Sequence, residues 1–396
     1  MHEIDALLWA ALYTFLFGFL LLHRQLGVIP TTLLCALRVA IPCIYFGYYF
    51  DWIWHAGDDL RYEEIGQLLR ARGFEPLSML IDPDERQAFI DIVGSGHFLY
   101  YWWNDIAYRI FGDHYYAPIF LNIGCSFVGA LLLGRLAVYI GMAPKFAKGL
   151  TCFFLIHPEV TAWSSFVNLK DTLVLTLTIA LLLSTLKAIQ ERSVFAFAAA
   201  IGVSILFSWL RFYVPFLALT ALALLSIAYR HNRYRYVLFF AAVITLSYFA
   251  TSISVDPEYL DEAQTFGLIR FLLTPQPWSL QPEYSFLVLA ASFHWIMLIP
   301  ALMMIPSIWK RSIGSRLVIL YLVTLVVFYA CIPELQGPRH RYQLSFIFAL
   351  LQFEALCRFL RLDVTSPVPK HSASRQGPTA PDSMSEKRVA HGTFGT

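Results

Sequence analysis

The chain has 396 residues, of which 58% are hydrophobic and only 14% are charged, and its mean hydropathy is +0.59. A soluble domain carries roughly a quarter charged residues, so this composition excludes an ordinary soluble protein. The net charge of +2 gives no reason to expect a nucleic-acid partner, and the six scattered cysteines have no metal-ligand spacing. We therefore expect an all-α protein built as a polytopic transmembrane bundle.

Windows of high hydropathy predict about eleven membrane-crossing helices, because a helix needs about 20 mainly apolar residues to cross a bilayer. The fourth of these spans is the weakest, since the segment "FFLIHPEVTAW" places a histidine, a proline and a glutamate in its second half. Together the spans form a predicted transmembrane domain over residues 1–362. The predicted spans are 5–22, 31–54, 117–140, 149–166, 170–187, 194–211, 213–229, 236–254, 284–306, 316–333 and 342–360.

The positions of lysine and arginine predict the orientation of the chain, since cytoplasmic loops carry an excess of both residues. Alternation of the eleven spans places six basic groups on one side, which is predicted to be cytoplasmic, with the N-terminus on the opposite face. Residues 363–396 are rich in Ser, Pro and charge and are predicted to be a disordered cytoplasmic tail. The basic groups are Arg24; Lys145 and Lys148; Lys187 and Arg192; Arg230, Arg233 and Arg235; Lys310, Arg311 and Arg316; and Arg358 and Arg361.

Two adjacent carboxylates, Asp58 and Asp59, follow the second predicted span. Helical spacing places Ile65 and Leu69 on the same stripe as Asp58, so residues 58–72 are predicted to form an amphipathic helix on the membrane surface. Capping of the helix start is the structural alternative for either aspartate, but one aspartate is enough for that role. The pair is therefore a candidate catalytic pair at the boundary between water and lipid.

A second polar group lies in "HPEVTAWSSFVNLKD", residues 157–171, on the same predicted face. Lys170 opposes the positive-inside trend there, so the phosphate of a lipid carrier is a candidate ligand; an exposed helix end is the alternative. His157 and Glu159 could bind a divalent cation, Mg or Mn, together with one of the first-loop aspartates, because hard cations favour carboxylate oxygens. Their spacing is not a metal signature.

A third group, "PELQGPRHRYQ" at residues 333–343, places Arg339, His340 and Arg341 on the same face. Arginine matches phosphate oxygens with paired donors, so a pyrophosphate or phosphodiester is the expected partner. Arg211, in the turn "SWLRFYVP", is a candidate phosphate-binding residue for the same reason. Ion pairing of these arginines with the acidic first loop is the alternative.

Other charged positions inside the apolar spans have ordinary interpretations. Arg38 and Arg135 lie within reach of the cytoplasmic interface and are predicted to extend their guanidinium groups towards it. Glu354 and Arg358 are four residues apart on one predicted helix and are expected to pair with each other.

The acidic pair in the first external loop, the surface helix after it, the "P…WSS…LKD" segment and the basic "PRHRY" together resemble the C-type (GT-C) glycosyltransferase superfold. This group includes transferases related to the protein mannosyltransferases and the aminoarabinose transferases. The resemblance covers most of residues 40–360 and depends on the order and shared sidedness of the motifs.

The resemblance implies an enzyme that takes a sugar from a polyprenyl phosphate or pyrophosphate donor. Asp58 or Asp59 would act as general base or orient the acceptor. Lys170, Arg339 and Arg341 would hold the carrier phosphate, and a cation near His157 and Glu159 could assist.

Unlike the family, the sequence over residues 1–396 is not expected to form a large C-terminal external domain for a protein acceptor, so the expected acceptor is a lipid-linked glycan or another envelope component. The expected location is the bacterial inner membrane, with the reaction on its noncytoplasmic face. One alternative is a polymerase of exopolysaccharide or O-antigen repeat units. Another is a transporter or flippase for lipid-linked sugars, which would be expected to have charges or broken helices at the bilayer midplane.

Overall fold

The computed structural model of the chain describes residues 3–50, 57–75, 78–94, 98–228, 266–332 and 335–365. Within these ranges every regular element is a helix, and the one β-type contact is an isolated antiparallel bridge between Met142 and Thr365. The prediction of an all-α fold is confirmed for this part of the chain.

Eighteen α-helices follow one another along the described ranges, and we number them in chain order. A π-helical turn, Tyr45–Tyr49, continues α2, and a 3₁₀ turn, Pro282–Leu287, precedes α14. The helices are α1 Glu3–Leu26, α2 Val28–Ile44, α3 Gly57–Ala71, α4 Ser78–Ile81, α5 Pro83–Val93, α6 Phe98–Phe111, α7 Ala117–Tyr139, α8 Pro144–Ile156, α9 Pro158–Ser165, α10 Asp171–Glu191, α11 Val194–Ser208, α12 Tyr213–Ala228, α13 Gly267–Leu273, α14 Val288–Leu302, α15 Ile305–Trp309, α16 Ile313–Ala330, α17 Pro338–Tyr342 and α18 Ser345–Phe359.

Six helical segments of the described ranges are long and apolar enough to cross a membrane, so the chain is a helical membrane protein. Two shorter apolar helices, α11 and α12, follow the fourth of these segments in the sequence and precede the fifth. The predicted number of about eleven crossings is not confirmed, and the predicted span 236–254 lies outside the described residues. The six segments are Ile4–Leu26, Val28–Tyr49, Ala117–Tyr139, Asp171–Glu191, Pro282–Leu302 and Ile313–Ala330.

The centre of the bundle is formed by α7 and α10, which pack directly against each other. In α7, 78% of the apolar window is buried inside the protein, against 33% in α1. The two central helices approach closely at Gly129, where a Cβ atom would lie 2.9 Å from Oγ1 of Thr176. A small residue at such a position allows the backbones of membrane helices to come together.

The predicted span 149–166 is not one straight helix, because α8 ends at Ile156 and α9 begins at Pro158. His157 between them has an extended ψ of 125°. Proline cannot donate a backbone hydrogen bond and disfavours helical geometry at the preceding residue, which explains the break. The break places the side chains of His157 and Glu159 in the interior of the bundle, where both are buried.

The helix predicted over 58–72 is present as α3, and it packs along α6. Leu69, on the predicted apolar stripe, is buried, and so is Tyr62, one helical turn after Asp58. Tyr62 contacts the ring of Tyr100 edge-on at a centroid distance of 4.7 Å. Gly66 lies against α6 and leaves room for the ring of Tyr108. This packing fixes the start of α3, and with it Asp58, relative to the bundle.

The interpretations of Arg38 and of the Glu354–Arg358 pair are wrong, whereas Arg135 is exposed. Arg38 is fully buried and donates to Oγ of Ser126 at 3.1 Å and to Oγ of Ser164 at 2.5 Å, instead of reaching an interface. Glu354 pairs with Arg311, which donates to both carboxylate oxygens at 2.5 and 2.7 Å, and not with Arg358. In both cases tertiary packing brings in a partner that is distant in sequence.

The predicted tail is described only for its first three residues. Thr365 bridges to Met142, and its backbone amide donates to Asp363 at 3.0 Å. Residues 366–396, which make up the rest of the predicted disordered segment, lie outside the described residues.

Candidate functional site

Charged side chains from four distant parts of the chain meet at one end of the bundle. Asp58 comes from the start of α3, Asp171 from the start of α10, Arg211 from the turn between α11 and α12, and Arg339 from α17. Together with Lys170, the residue before α10, they form a group that we call the ionic cluster. The sequence predicted Asp58, Lys170, Arg211 and Arg339 as site residues, and the fold brings them together.

Asp171 is the centre of the ionic cluster, because it accepts hydrogen bonds from two arginines. Arg339 donates from Nε to Oδ2 at 2.7 Å, and Arg211 donates to Oδ1. Arg339 also forms an ion pair with Asp58, and Arg211 donates to the side-chain oxygen of Gln343 at 3.2 Å. The Nη2 atom of Arg339 is buried and has no hydrogen-bond partner, so this donor is available to a ligand.

Lys170 is buried, with 4% of its surface exposed, yet its side-chain amine makes no hydrogen bond or ion pair with another described residue. Burial, reinforced by the positive charges of Arg339 and Arg211, lowers the pKa of its amine to about 6. The neutral amine is therefore the resting form at physiological pH. A buried lysine without a partner is rare in folded proteins and indicates a position prepared for a ligand.

The two adjacent aspartates have different environments. Asp58 has 54% of its side chain exposed. Although burial acts to raise its pKa, the charge and hydrogen bond of Arg339 dominate and hold the pKa of this carboxyl below its usual value. Asp59 is fully buried, and its two oxygens accept from the Tyr115 hydroxyl at 2.5 Å and from the backbone amide of Asn168 at 2.9 Å. Asp58 can therefore meet a substrate, whereas Asp59 anchors α3 to the segment before α10.

The other two basic residues of α17, His340 and Arg341, make no ion pair within the ionic cluster. Burial and the nearby charge of Arg211 lower the pKa of His340 to about 3, so its imidazole is neutral, and its Nδ1 has no partner. Arg341 turns away from the ionic cluster and donates to Glu159 at 2.6 Å, in a pair of which neither side chain is more than 2% exposed. The predicted phosphate ligand Arg341 is thus engaged in a buried ion pair deeper in the bundle.

The predicted metal ligands also have protein partners. Glu159 is held by Arg341, and Nε2 of His157 lies 2.8 Å from the side-chain oxygen of Gln352. No group of three or more His, Cys, Asp and Glu side chains that could hold a metal occurs in the described ranges. Because both side chains are engaged with protein partners, they do not fit a divalent cation in this structure. The metal stays an untested prediction.

Asp171 was visible in the sequence as the neighbour of Lys170, but nothing indicated that it would bind two arginines. Its position at the first residue of a long apolar helix was the available signal, because a carboxylate there can face the bundle interior. Tyr115, which holds Asp59, was hidden among many aromatic residues. Its partner could not be inferred without the fold.

No protein-family model matches this chain, and neither a curated protein nor a solved structure matches it.

Proposed function

We propose that the protein is an integral membrane glycosyltransferase of the GT-C type, which moves a sugar from a polyprenyl-linked phosphate or pyrophosphate donor. The observation that carries the proposal is the ionic cluster itself. An exposed carboxylate, Asp58, adjoins buried cations at the end of a membrane-embedded bundle. A lipid-linked sugar carries its phosphate at the head of a tail that stays in the membrane, so the end of the bundle is where we propose that this phosphate binds.

Two donors of the cluster lack protein acceptors in the described ranges and can hold the carrier phosphate: Nζ of Lys170 and Nη2 of Arg339. Arg211 is fixed between Asp171 and Gln343, so it contributes a preorganised positive charge nearby. Fixed charges of this kind stabilise the negative charge that develops on a leaving phosphate.

In the proposed reaction, Asp58 acts as the general base. The acceptor hydroxyl oxygen forms a bond to the anomeric carbon of the sugar, and the bond between that carbon and the phosphate oxygen breaks. The hydroxyl proton moves to the Asp58 carboxylate, and the bonding electrons leave with the lipid phosphate. A lowered pKa keeps Asp58 ionised before the reaction, and its exposure leaves it accessible to an acceptor.

The proposed acceptor is a lipid-linked glycan or another envelope component, and the proposed location is the noncytoplasmic face of the bacterial inner membrane. Support for this sidedness comes from the basic residues predicted to face the cytoplasm. One of them, Arg311, pairs with Glu354 near the end of α18, the helix that leads away from the ionic cluster.

A transporter of lipid-linked sugars is a second candidate, favoured by the interior of the bundle. The α8–α9 helix is broken at His157, and the Glu159–Arg341 pair and Arg38 are buried nearby in the interior. Discontinuous helices and intramembrane charges are typical of transport proteins.

Purified protein in lipid nanodiscs should be incubated with radiolabelled polyprenyl-phosphate sugars and a lipid-linked glycan acceptor. Transfer of label to the acceptor would support the transferase. Movement of an intact lipid-linked oligosaccharide between leaflets of a proteoliposome, with no transfer from any donor, would contradict it and favour the transporter.

A further inference from the structure

Three buried asparagines form a hydrogen-bonded network that leads to the ionic cluster. Asn104 lies on α6, Asn122 on α7 and Asn168 in the segment between α9 and α10, and each is 0% exposed. Nδ2 of Asn168 donates to Oδ1 of Asn104 at 2.7 Å, and Oδ1 of Asn168 accepts from the Tyr100 hydroxyl at 2.7 Å. The same hydroxyl accepts from Nδ2 of Asn122 at 3.0 Å. We call the three asparagines and Tyr100 the asparagine network.

Every side-chain oxygen and nitrogen of the three asparagines has a hydrogen-bond partner. Nδ2 of Asn104 donates to the backbone oxygen of Tyr100 at 2.8 Å. Oδ1 of Asn122 accepts from the indole nitrogen of Trp103 at 3.0 Å. A buried amide is costly unless its hydrogen bonds are made, and a fully satisfied buried network is rigid. The segment that contains Asn168 is therefore held firmly.

The asparagine network fixes the two residues that precede Lys170. Nδ2 of Asn122 also donates to the backbone oxygen of Leu169 at 3.2 Å. The backbone amide of Asn168 donates to Oδ1 of Asp59 at 2.9 Å. Because Asp59 belongs to the first turn of α3, the backbone that leads into Lys170 is anchored to the start of that helix as well as to α6 and α7.

Lys170 depends on this anchoring more than its neighbour Asp171 does. Arg211 and Arg339 hold Asp171 directly through its carboxylate. The side-chain amine of Lys170 has no such partner in the described ranges, although only 4% of the residue is exposed. Its position is therefore set by its backbone and by the packing of its methylene chain.

We propose that Asn168 is a positioning residue, which acts through Lys170 by holding its amine in place for a phosphate at a fixed position relative to Asp58. The inference rests on the proposed function and adds to it a residue that is fully buried, so its effect on a ligand is indirect. Its physical basis is the sensitivity of a positioned group to displacement, since a misplacement of about 1 Å can cost ~100-fold in rate.

The test measures binding of farnesyl phosphate, a short-chain lipid phosphate, to the full-length protein in lipid nanodiscs. Calorimetry gives the dissociation constant, with empty nanodiscs as the blank. Asn168→Ala should weaken binding at least about tenfold, because the amine of Lys170 is no longer held in place. In a Lys170→Met background the same change should weaken binding less than about twofold, since a residue that acts through another has no effect once the other is removed.

Two further variants separate positioning from loss of stability. Tyr100→Phe removes one hydroxyl of the asparagine network and keeps the ring, so it should weaken binding about threefold or more, again only where Lys170 is present. Thr151→Val is the matched control. It removes a buried hydroxyl that donates within α8 to the backbone oxygen of Ala147 at 3.0 Å, and it should leave binding unchanged.

Hydrogen exchange measures the positioning without a ligand. Amides of residues 166–171 should exchange faster in Asn168→Ala than in the natural protein, and Thr151→Val should not change their exchange. If Asn168→Ala does not fold, Tyr100→Phe decides in the same way.

Three results would overturn the inference. They are unchanged binding in both network variants, an equal loss of binding with and without Lys170, and no binding of the probe by the natural protein. Failure of the proposed function gives a different pattern. In that case the probe binds and its binding depends jointly on Asn168 and Lys170, but no labelled sugar reaches any acceptor.

Discussion

Arg339 and Asp171 lie 168 positions apart in the sequence, yet Nε of Arg339 donates to Oδ2 of Asp171 at 2.7 Å. The same carboxylate accepts from Arg211, and Arg339 extends further to Asp58. Through Arg339, α17 is therefore joined to the start of α10 by Asp171 and to the start of α3 by Asp58. The positions of the charged groups depend on it.

Asp171→Asn should destabilise the protein by about 3–5 kcal/mol, because it leaves two buried arginines without their shared counter-charge. Unfolding in mixed detergent, followed by circular dichroism, measures this loss. Asp58→Asn is the matched control. Its side chain is 54% exposed, so removal of its charge should cost less than about 1 kcal/mol. Equal losses for the two variants would show that Asp171 is not the centre of the cluster.

Asp58→Asn should reduce sugar transfer by about 10²–10⁴-fold while the donor still binds, because the general base is removed and the cations are not. Steady-state transfer assays with a labelled donor measure the effect. Asp59→Asn should instead lower stability, since both oxygens of Asp59 accept from the protein. Full activity of Asp58→Asn would favour the repeat-unit polymerase. Its expected site consists mainly of arginines and requires no acidic pair.

The stability of the ligand-free protein should rise with pH between about pH 6 and 10.5, because Lys170 has a pKa of about 6 when folded and an ordinary value of 10.5 when unfolded. The unfolded chain binds one more proton in this window, so the slope contributed by Lys170 is up to about 1.4 kcal/mol per pH unit. Asp58 titrates below pH 3.8 and does not contribute there.

Detergent-unfolding curves from pH 6 to pH 9 measure this slope. Lys170→Met should flatten it, whereas Lys148→Met, an exposed change on α8, should leave it unaltered. An unchanged slope in Lys170→Met would show that the amine is already protonated in the resting protein.

The sequence was sufficient for features that depend on local pattern. The apolar runs predicted helices such as α7 and α10, and the spacing around Asp58 predicted α3, because hydrophobic periodicity is a local property. The idea that Asp58, Lys170 and Arg339 converge came from their shared predicted face and not from any spacing. The fold supplies that convergence.

Partner choice in the interior could not be predicted in the same way. Arg38, Arg341 and Glu354 each have partners more than 40 positions away, namely Ser164, Glu159 and Arg311. In an apolar interior a charged group must be satisfied by whichever polar group packing brings near it, and the sequence does not encode that proximity locally. The helical break at His157 was indicated by Pro158, but only as a weakness in a predicted span.

Glu159→Gln should destabilise the protein by about 3–5 kcal/mol, since it leaves Arg341 charged and buried. The double variant Glu159→Leu with Arg341→Met should recover most of this loss, because a well-packed apolar pair often replaces a buried ion pair without cost. A double-mutant cycle by detergent unfolding measures the coupling. If the double variant is stable and transfers sugar normally, the pair is structural. If it is stable but loses leaflet-to-leaflet movement of lipid-linked sugar, the transporter gains support.

Gly66→Ala should loosen the packing of α3 on α6, because the added Cβ would lie 2.9 Å from Cε2 of Tyr108, a ring that is itself only 1% exposed. Overpacking costs about 1–3 kcal/mol, and the better helix propensity of alanine offsets up to about 1 kcal/mol of that. Hydrogen exchange of α3 amides measures the local effect, which should appear as faster exchange.

Sugar transfer should fall in the same variant, since α3 carries Asp58 at its first turn. Gly202→Ala is the matched control: it lies within α11, and nothing within 4 Å would meet its Cβ, so it should be neutral or slightly stabilising. Unchanged exchange in α3 of Gly66→Ala, together with full transfer activity, would show that the position of Asp58 does not depend on this helix contact.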